Sequence, residues 1–250
     1  MKFIIQDNKE QIAYTAADLV EEAVRQHPTG ILGLATGSSP VGTYKELIRR
    51  HRKEGLDFSR ITTINLDEYV GLDEFHEQSY RHFMNHNLFD HLNINKKNTY
   101  VPRGDALNPE EEARHYEELI RRLEPARIQV LGIGVNGHIG FNEPAEDFTV
   151  PTHVVTLTRD TIESNARFFD SPMDVPRQAI TMGVGGILRA QRILLIATGE
   201  GKQQAVKALE DGRILPSNPS TILKVHPDVI VLCDRAAAAL LDECTVRQAE

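Results

Sequence analysis

Cysteine is scarce in this chain of 250 residues, which has two, Cys233 and Cys244. They form neither a metal-binding pair nor a disulfide framework. Cys233 sits in an apolar run and reads as a small buried residue. Long hydrophobic runs are missing, so no segment reaches the length of a membrane span, and the N-terminus lacks a signal-peptide pattern. Positive charge is in deficit: 28 Lys and Arg stand against 36 Asp and Glu, a formal net charge of −8. An acidic surface argues against nucleic acid or an anionic membrane as the main partner. An anionic small substrate would need a local basic pocket that overrides the global field. No linker, low-complexity tract or domain-sized shift in composition appears. The expectation is a soluble, cytoplasmic protein whose 40% apolar content is enough for a real core. Length alone allows one large α/β domain or two small ones.

Apolar runs alternate with segments of helical period. Lys2–Ile5, Ile31–Ala35, Ile61–Leu66, Ile128–Ile133, Val154–Leu157, Ile193–Ala197 and Val229–Leu232 read as strands. Ala16, Leu19, Val20 and Ala23 share a helix face, and Tyr80, Phe83, Met84 and Leu88 mark another. Gly42–His51, Ala113–Leu123, Thr161–Phe168, Lys202–Glu210 and Ala236–Leu241 also read as helical. This alternation implies a mainly parallel central sheet covered by helices on both faces, a three-layer α/β/α arrangement.

The densest chemistry lies in Val130–Pro144. An apolar run enters, Gly132, Gly134, Gly137 and Gly140 bend the backbone, and Asn136, His138 and Glu143 follow. Such a turn at the carboxyl edge of a sheet is where α/β proteins bind ligands. Gly132-x-Gly134-x-x-Gly137 also matches the dinucleotide fingerprint, which needs a helix opening at the third glycine. Here Gly140 and Pro144 leave little room for one. A strand-exit turn without chemistry is the plain alternative.

Other segments offer parts of a site. Thr36-Gly37-Ser38-Ser39-Pro40 lies between a strand and a helix. Its glycine, hydroxyls and helix N-terminus make a candidate phosphate cradle, although it is no P-loop. Thr198-Gly199-Glu200-Gly201-Lys202 repeats that placement with a lysine at the helix start, unfavourable against the macrodipole unless an anion is near. Asp67-Glu68 follows a strand and reads either as a general base or as a solvated helix start. His82, His86 and His91 lack a zincin glutamate and read as a helix face rather than a metal site.

Together, Ala35–Pro40, Asn65–Leu72, Gly132–Pro144, Asn165–Phe169, Gly183–Gly186 and Gly199–Lys202 resemble glucosamine-6-phosphate deaminase, in family order and over nearly the whole chain. The resemblance implies a single Rossmann-like domain over 1–250. It also implies conversion of glucosamine 6-phosphate and water to fructose 6-phosphate and ammonia, in amino-sugar catabolism, with no cofactor and no metal. Asp67 matches the enolisation base that moves a proton between C1 and C2. His138 matches the residue that opens the sugar ring, and Asn136 and Glu143 match the residues that orient and tune it. Arg167 and Lys202 match phosphate ligands, with Gly37, Ser38 and Ser39 supplying further donors. The partner expected is a small phosphosugar, and the assembly a monomer or small homo-oligomer.

Many members carry aspartate where this chain has Asn136. An amide cannot exchange a proton, so Asn136 can only orient. The longer members bind an activator, N-acetylglucosamine 6-phosphate, through residues just after the Glu143-Pro144 motif and through a C-terminal extension. Here that stretch offers Glu146, Asp147, His153 and Val155, so the resemblance is to a short, non-allosteric branch. A 6-phosphogluconolactonase-like hydrolase and a sugar-phosphate-sensing regulator stay open as competing readings.

Overall fold

The computed structural model describes residues 1–166, 169, 171 and 173–249. The chain runs β1 (Lys2–Gln6), α1 (Lys9–Gln26), β2 (Ile31–Leu34), α2 (Val41–Glu54), β3 (Thr62–Asn65), β4 (Asp67–Tyr69), α3 (Tyr80–Asn87), β5 (Thr99–Tyr100) and α4 (Pro109–Arg122). It continues through β6 (Ile128–Gly132), β7 (His153–Thr156), α5 (Arg159–Asn165), β8 (Gln178–Thr181), α6 (Val184–Leu188), β9 (Ile193–Ala197), α7 (Gln203–Glu210), β10 (Val229–Asp234) and α8 (Glu243–Ala249). Helix starts follow local chemistry. Asn8 and Asn108 cap α1 and α4 with their side chains, and α4 opens on Pro109 with Glu110, Glu111 and Glu112 in its first turn. Gly55, at φ 67°, closes α2 in the left-handed region.

Seven strands form one parallel sheet in the order β1-β10-β9-β6-β2-β3-β5. Their side chains alternate between two cores. Leu194 and Ile196 of β9 join residues of α1, α2 and α3 on one face. Ile193 and Leu195 join residues of α4, α6 and α7 on the other. With both faces dry, the inner strands β2, β6, β9 and β10 are mostly apolar. Each fully buried Leu or Ile contributes roughly 1.5–3 kcal/mol. The α/β/α expectation therefore holds.

A second sheet, antiparallel and ordered β4-β8-β7, was not anticipated. Leu66 alone separates β3 from β4, so the chain steps directly from one sheet to the other. Asp67 pairs with Thr181, and His153 pairs with Thr181 on its other side. The helix expected over Ala236–Leu241 is a run of turns. The Asp234 carboxylate accepts the Ala237 N–H at 2.8 Å, and the last helix starts only at Glu243. Of the helix expected over Thr161–Phe168, Arg167 and Phe168 lie outside the described residues, and α5 begins two residues earlier, at Arg159.

Two buried tyrosines hold the sheet where β2 and β3 end. The Tyr44 phenol donates to Ala35 O at 2.6 Å and accepts from Ala35 N at 3.2 Å. The Tyr116 phenol treats Asn65 alike, at 2.8 and 3.2 Å.

Candidate active site

From β2 the chain moves outward through β3 to β5, and then returns to β6 and moves the other way through β9 to β10. The reversal leaves a crevice between the carboxyl ends of β2 and β6, the usual ligand position in such sheets. A cleft of about 190 Å³ occupies it, lined by Ala35–Ser39, Leu66, Asp67, Tyr80, Gly132, Ile133, His138, Gly140, Phe141 and Thr161. The phosphate-cradle candidates and both proton-transfer candidates thus share one cavity.

One wall is the loop after β2. Gly37 has φ 85°, a conformation other residues rarely adopt. Helix α2 follows with Pro40 at its N-cap, no side-chain cap and no acidic residue in its first turn. Its free N–H groups and positive dipole end suit an anion.

The opposite wall is the turn after β6, and no helix opens at Gly137, so the dinucleotide reading fails on geometry. Its glycines leave room that side chains would fill. A Cβ on Gly134 would lie 2.3 Å from the His138 ring, and one on Gly140 3.3 Å from Asp67 Oδ2. Asn142 anchors the turn, donating to Ile139 O and Met182 O at 2.9 Å each.

His138 lines the cleft with Nδ1 turned inward. That nitrogen is 3.4 Å from Glu143 Oε2, close enough for charge interaction though not aligned for a hydrogen bond. Glu143 also accepts Asn136 Nδ2 at 2.8 Å and Thr161 Oγ1 at 2.7 Å. Burial raises the Glu143 carboxyl, but His138, Thr161 and Asn136 more than offset this and hold it at about 2. A permanent carboxylate behind Nδ1 leaves Nε2 free to exchange a proton with a ligand. Asn136 Oδ1 also accepts the backbone N–H of His138 at 3.1 Å, so the amide ties the Glu143 carboxylate to the turn that carries His138.

Asp67 is 5% exposed and Glu68 2%. They are no solvated helix start. The Asp67 carboxylate has no hydrogen bond among the described residues and opens on the cleft. Burial first, then the adjacent Glu68, raise its proton affinity well above the carboxylate range. A base near neutrality is what carbon-acid chemistry needs.

The phosphate ligands are less completely assembled. Gly37, Ser38 and Ser39 line the cleft. Lys202 lies at the N-cap of α7 and outside the cleft lining. It is half-buried, its ammonium has no ion pair or hydrogen bond with another described residue, and burial lowers the proton affinity of its amine. Arg167 lies outside the described residues. We expect Lys202→Ala to weaken phosphosugar binding by roughly 1.5–3 kcal/mol and to leave the unphosphorylated sugar unaffected. Titration calorimetry with both sugars checks this, and unchanged phosphosugar affinity would place the cationic contact elsewhere.

Thr161, Tyr80 and Phe141 also line the cleft, and sequence reasoning gave them no role in the site. Thr161 sits among polar helix residues and carries no local signal. Tyr80 and Phe141 stack with centroids 6.0 Å apart and 3° between planes. His82 and His86 stack on each other at 6.2 Å. Among the described residues, no group of three or more His, Cys, Asp or Glu is gathered for a metal.

Fold and cleft together define an α/β enzyme class built for acid–base chemistry on a small anionic ligand. The chain belongs to the glucosamine-6-phosphate isomerases/6-phosphogluconolactonase family, whose model matches residues 6–231. It is 54% identical over 241 residues to a glucosamine-6-phosphate deaminase of Clostridium perfringens, covering 96% of this chain and 100% of that one. The solved structure of a monomeric glucosamine-6-phosphate deaminase superposes with a TM-score of 0.94 at 45% identity, over 96% of this chain and all of the other. A 6-phosphogluconolactonase from Trypanosoma cruzi shares the fold at a TM-score of 0.76 and 18% identity, over 96% of each chain.

Proposed function

We propose that residues 1–250 act as one sugar-phosphate isomerase/deaminase domain. It converts glucosamine 6-phosphate and water to fructose 6-phosphate and ammonia. The observation that carries this reading is the shared cleft: a buried carboxylate without a hydrogen bond among the described residues, a carboxylate-backed imidazole and an uncapped helix N-terminus line or adjoin it. The full-length likeness to named deaminases supports the same choice.

The phosphate docks on Gly37–Ser39 and the start of α2, with Lys202 and Arg167 as the cationic ligands. His138 moves the anomeric hydroxyl proton to the ring oxygen, which opens the ring to a C1 aldehyde and leaves the amine on C2. Asp67 takes the C2 proton. The C–H electron pair forms a C1–C2 double bond and the C1 oxygen gains a proton. Return of a proton to C1 leaves an imine at C2. Water adds there and ammonia departs, leaving the C2 ketone. Each proton that is removed is returned, so no redox partner is needed.

No described helix is long and apolar enough to cross a membrane. We place the enzyme in the cytoplasm, where a phosphate dianion is retained by the charge barrier of the bilayer. We read it as a monomer or small homo-oligomer in amino-sugar catabolism. Ammonia release from glucosamine 6-phosphate by the purified chain, with glucosamine as control, is the decisive test. Hydrolysis of a phosphosugar lactone without ammonia release would favour the lactonase instead. Binding without turnover would favour a regulator.

Regulation follows from the loop after Pro144. Glu146 is exposed, while Asp147, His153 and Val155 line a groove of about 360 Å³ that also touches Glu143. Carboxylates repel a phosphate dianion, and valine cannot pair with one. We expect N-acetylglucosamine 6-phosphate to leave the rate unchanged and substrate saturation to be hyperbolic. Sigmoidal kinetics shifted leftward by that compound would refute this, because such a shift needs a site with unequal affinity for two states.

A further inference from the structure

Glu68 is buried beside Asp67, yet the chemistry above gives it no task. Successive residues of a strand point to opposite sides, so Asp67 and Tyr69 share one side of β4 and Glu68 takes the other. Its carboxylate accepts three backbone N–H groups: Tyr69 at 2.9 Å, Tyr80 at 2.8 Å and Arg81 at 2.9 Å. The last two are the first residues of α3. Gly104 packs against it so closely that a Cβ there would lie 3.1 Å from Glu68 Cγ. No ion pair closes on it among the described residues. The nearby Arg81 guanidinium is instead bonded to Thr99, at 2.8 Å to Oγ1 and 2.7 Å to the carbonyl oxygen.

Tyr80, whose amide Glu68 holds, lines the cleft and stacks on Phe141. The start of α3 is therefore fixed to β4, one residue from the proposed base. Taking the reading of Asp67 as that base, we propose that Glu68 is a positioning residue with two effects. Its carboxylate clamps α3 so that Tyr80 is held against the cleft, and its charge is the field in which Asp67 gains and loses its proton.

The other groups around the pair do not duplicate that field. On β4 itself there is Tyr69; from α3 come Tyr80 and Arg81; from α4 comes Tyr116; Glu74, Arg103 and Asp105 line a cavity with Glu68, away from Asp67; across the cleft stands His138, backed by Glu143. The tyrosines are held in the neutral form by burial. Glu68 is the negative group next to Asp67. Burial raises its carboxyl, while its three N–H donors and then Arg81 partly counter this. Those donors stabilise the Glu68 anion, and Asp67 has none among the described residues. Glu68 therefore ionises first, and the second proton leaves Asp67 against a charge already present.

Two substitutions with different readouts test the two effects. Glu68→Gln keeps the reach of the side chain and removes its charge; its amide nitrogen can no longer accept the N–H that one carboxylate oxygen held, so the acid limb and not kcat is its readout. We expect the acid limb of its kcat/KM profile to move to lower pH by about one unit. Substrate ionisations are common to both proteins and cancel in the difference. Glu68→Asp keeps the charge and draws it back from the Tyr80 and Arg81 amides. We expect its acid limb to stay in place and kcat to fall on the order of ten- to a hundred-fold, the usual consequence of a displaced site wall. An unmoved acid limb in Glu68→Gln, or unchanged kcat in Glu68→Asp, overturns the proposal. Carboxyl carbon NMR on the wild-type chain decides it without a variant: Glu68 should lose its proton at lower pH than Asp67, and the reverse order overturns the assignment. Wild-type ammonia release keeps the two readings apart. Its absence removes the deaminase assignment, whereas its presence with an unmoved limb removes only the role of Glu68.

Discussion

Replacing Asp67 with asparagine is expected to lower turnover on glucosamine 6-phosphate by on the order of a hundred- to ten-thousand-fold while sparing binding. The side chains are nearly isosteric, and the wild-type carboxylate makes no hydrogen bond with a described residue that the amide would break. The loss is therefore chemical rather than structural. An amide cannot take the C2 proton. Exchange of that proton with deuterated solvent isolates the step, and wild-type exchange or turnover in the variant would refute the assignment. The pH dependence follows from the same burial. A base must be ionised, and the proton affinity of Asp67 is raised by desolvation and by Glu68. The rate should climb as pH rises through that elevated range, above the ordinary carboxylate range.

His138→Gln is the second large effect. With the imidazole gone, the closed ring loses its route from anomeric hydroxyl to ring oxygen, and we expect a loss of roughly a hundred-fold or more on the closed substrate. An analogue that is already open should recover part of it, because Asp67 stays in place. Equal losses on both substrates would mean that His138 acts after ring opening. Glu143, held as a carboxylate at about 2, supports the imidazole across the whole working range of pH.

The inner strands of the central sheet were legible because they are dry on both faces, whereas the two-residue edge strand Thr99–Tyr100 carries no such run. Ile31–Ala35, Ile128–Ile133, Ile193–Ala197 and Val229–Leu232 leave no alternation to misread. The small sheet was not legible. Gln178–Thr181 is short and becomes a strand only by pairing with β4 and β7, both distant in sequence. Its absence from the sequence reading hid what matters most about Asp67 and Glu68, because two adjacent acids look solvated until a second sheet buries them. Asn136, His138 and Glu143 could be read together since they share one turn. Thr161 could not, because its hydroxyl reaches Glu143 across 18 residues. At Ala236–Leu241 helical apolar spacing misled, since Asp234 draws the Ala237 amide into a capped turn.

The two tyrosines behind the cleft bear on how firmly a ligand is received. The carboxyl end of a strand ordinarily frays, because its last N–H and C=O have only water to bond and open at little expense in free energy. In this chain a single phenol closes both groups of Ala35, and another closes both groups of Asn65. Each phenol comes from a helix packed on the opposite face of the sheet from the other. The fluctuations that would widen the crevice must therefore uncouple a helix as well as a strand end. A ligand entering it meets backbone whose conformational entropy was already lost on folding, so less of its binding energy goes into ordering the wall and more is left for holding the ligand itself.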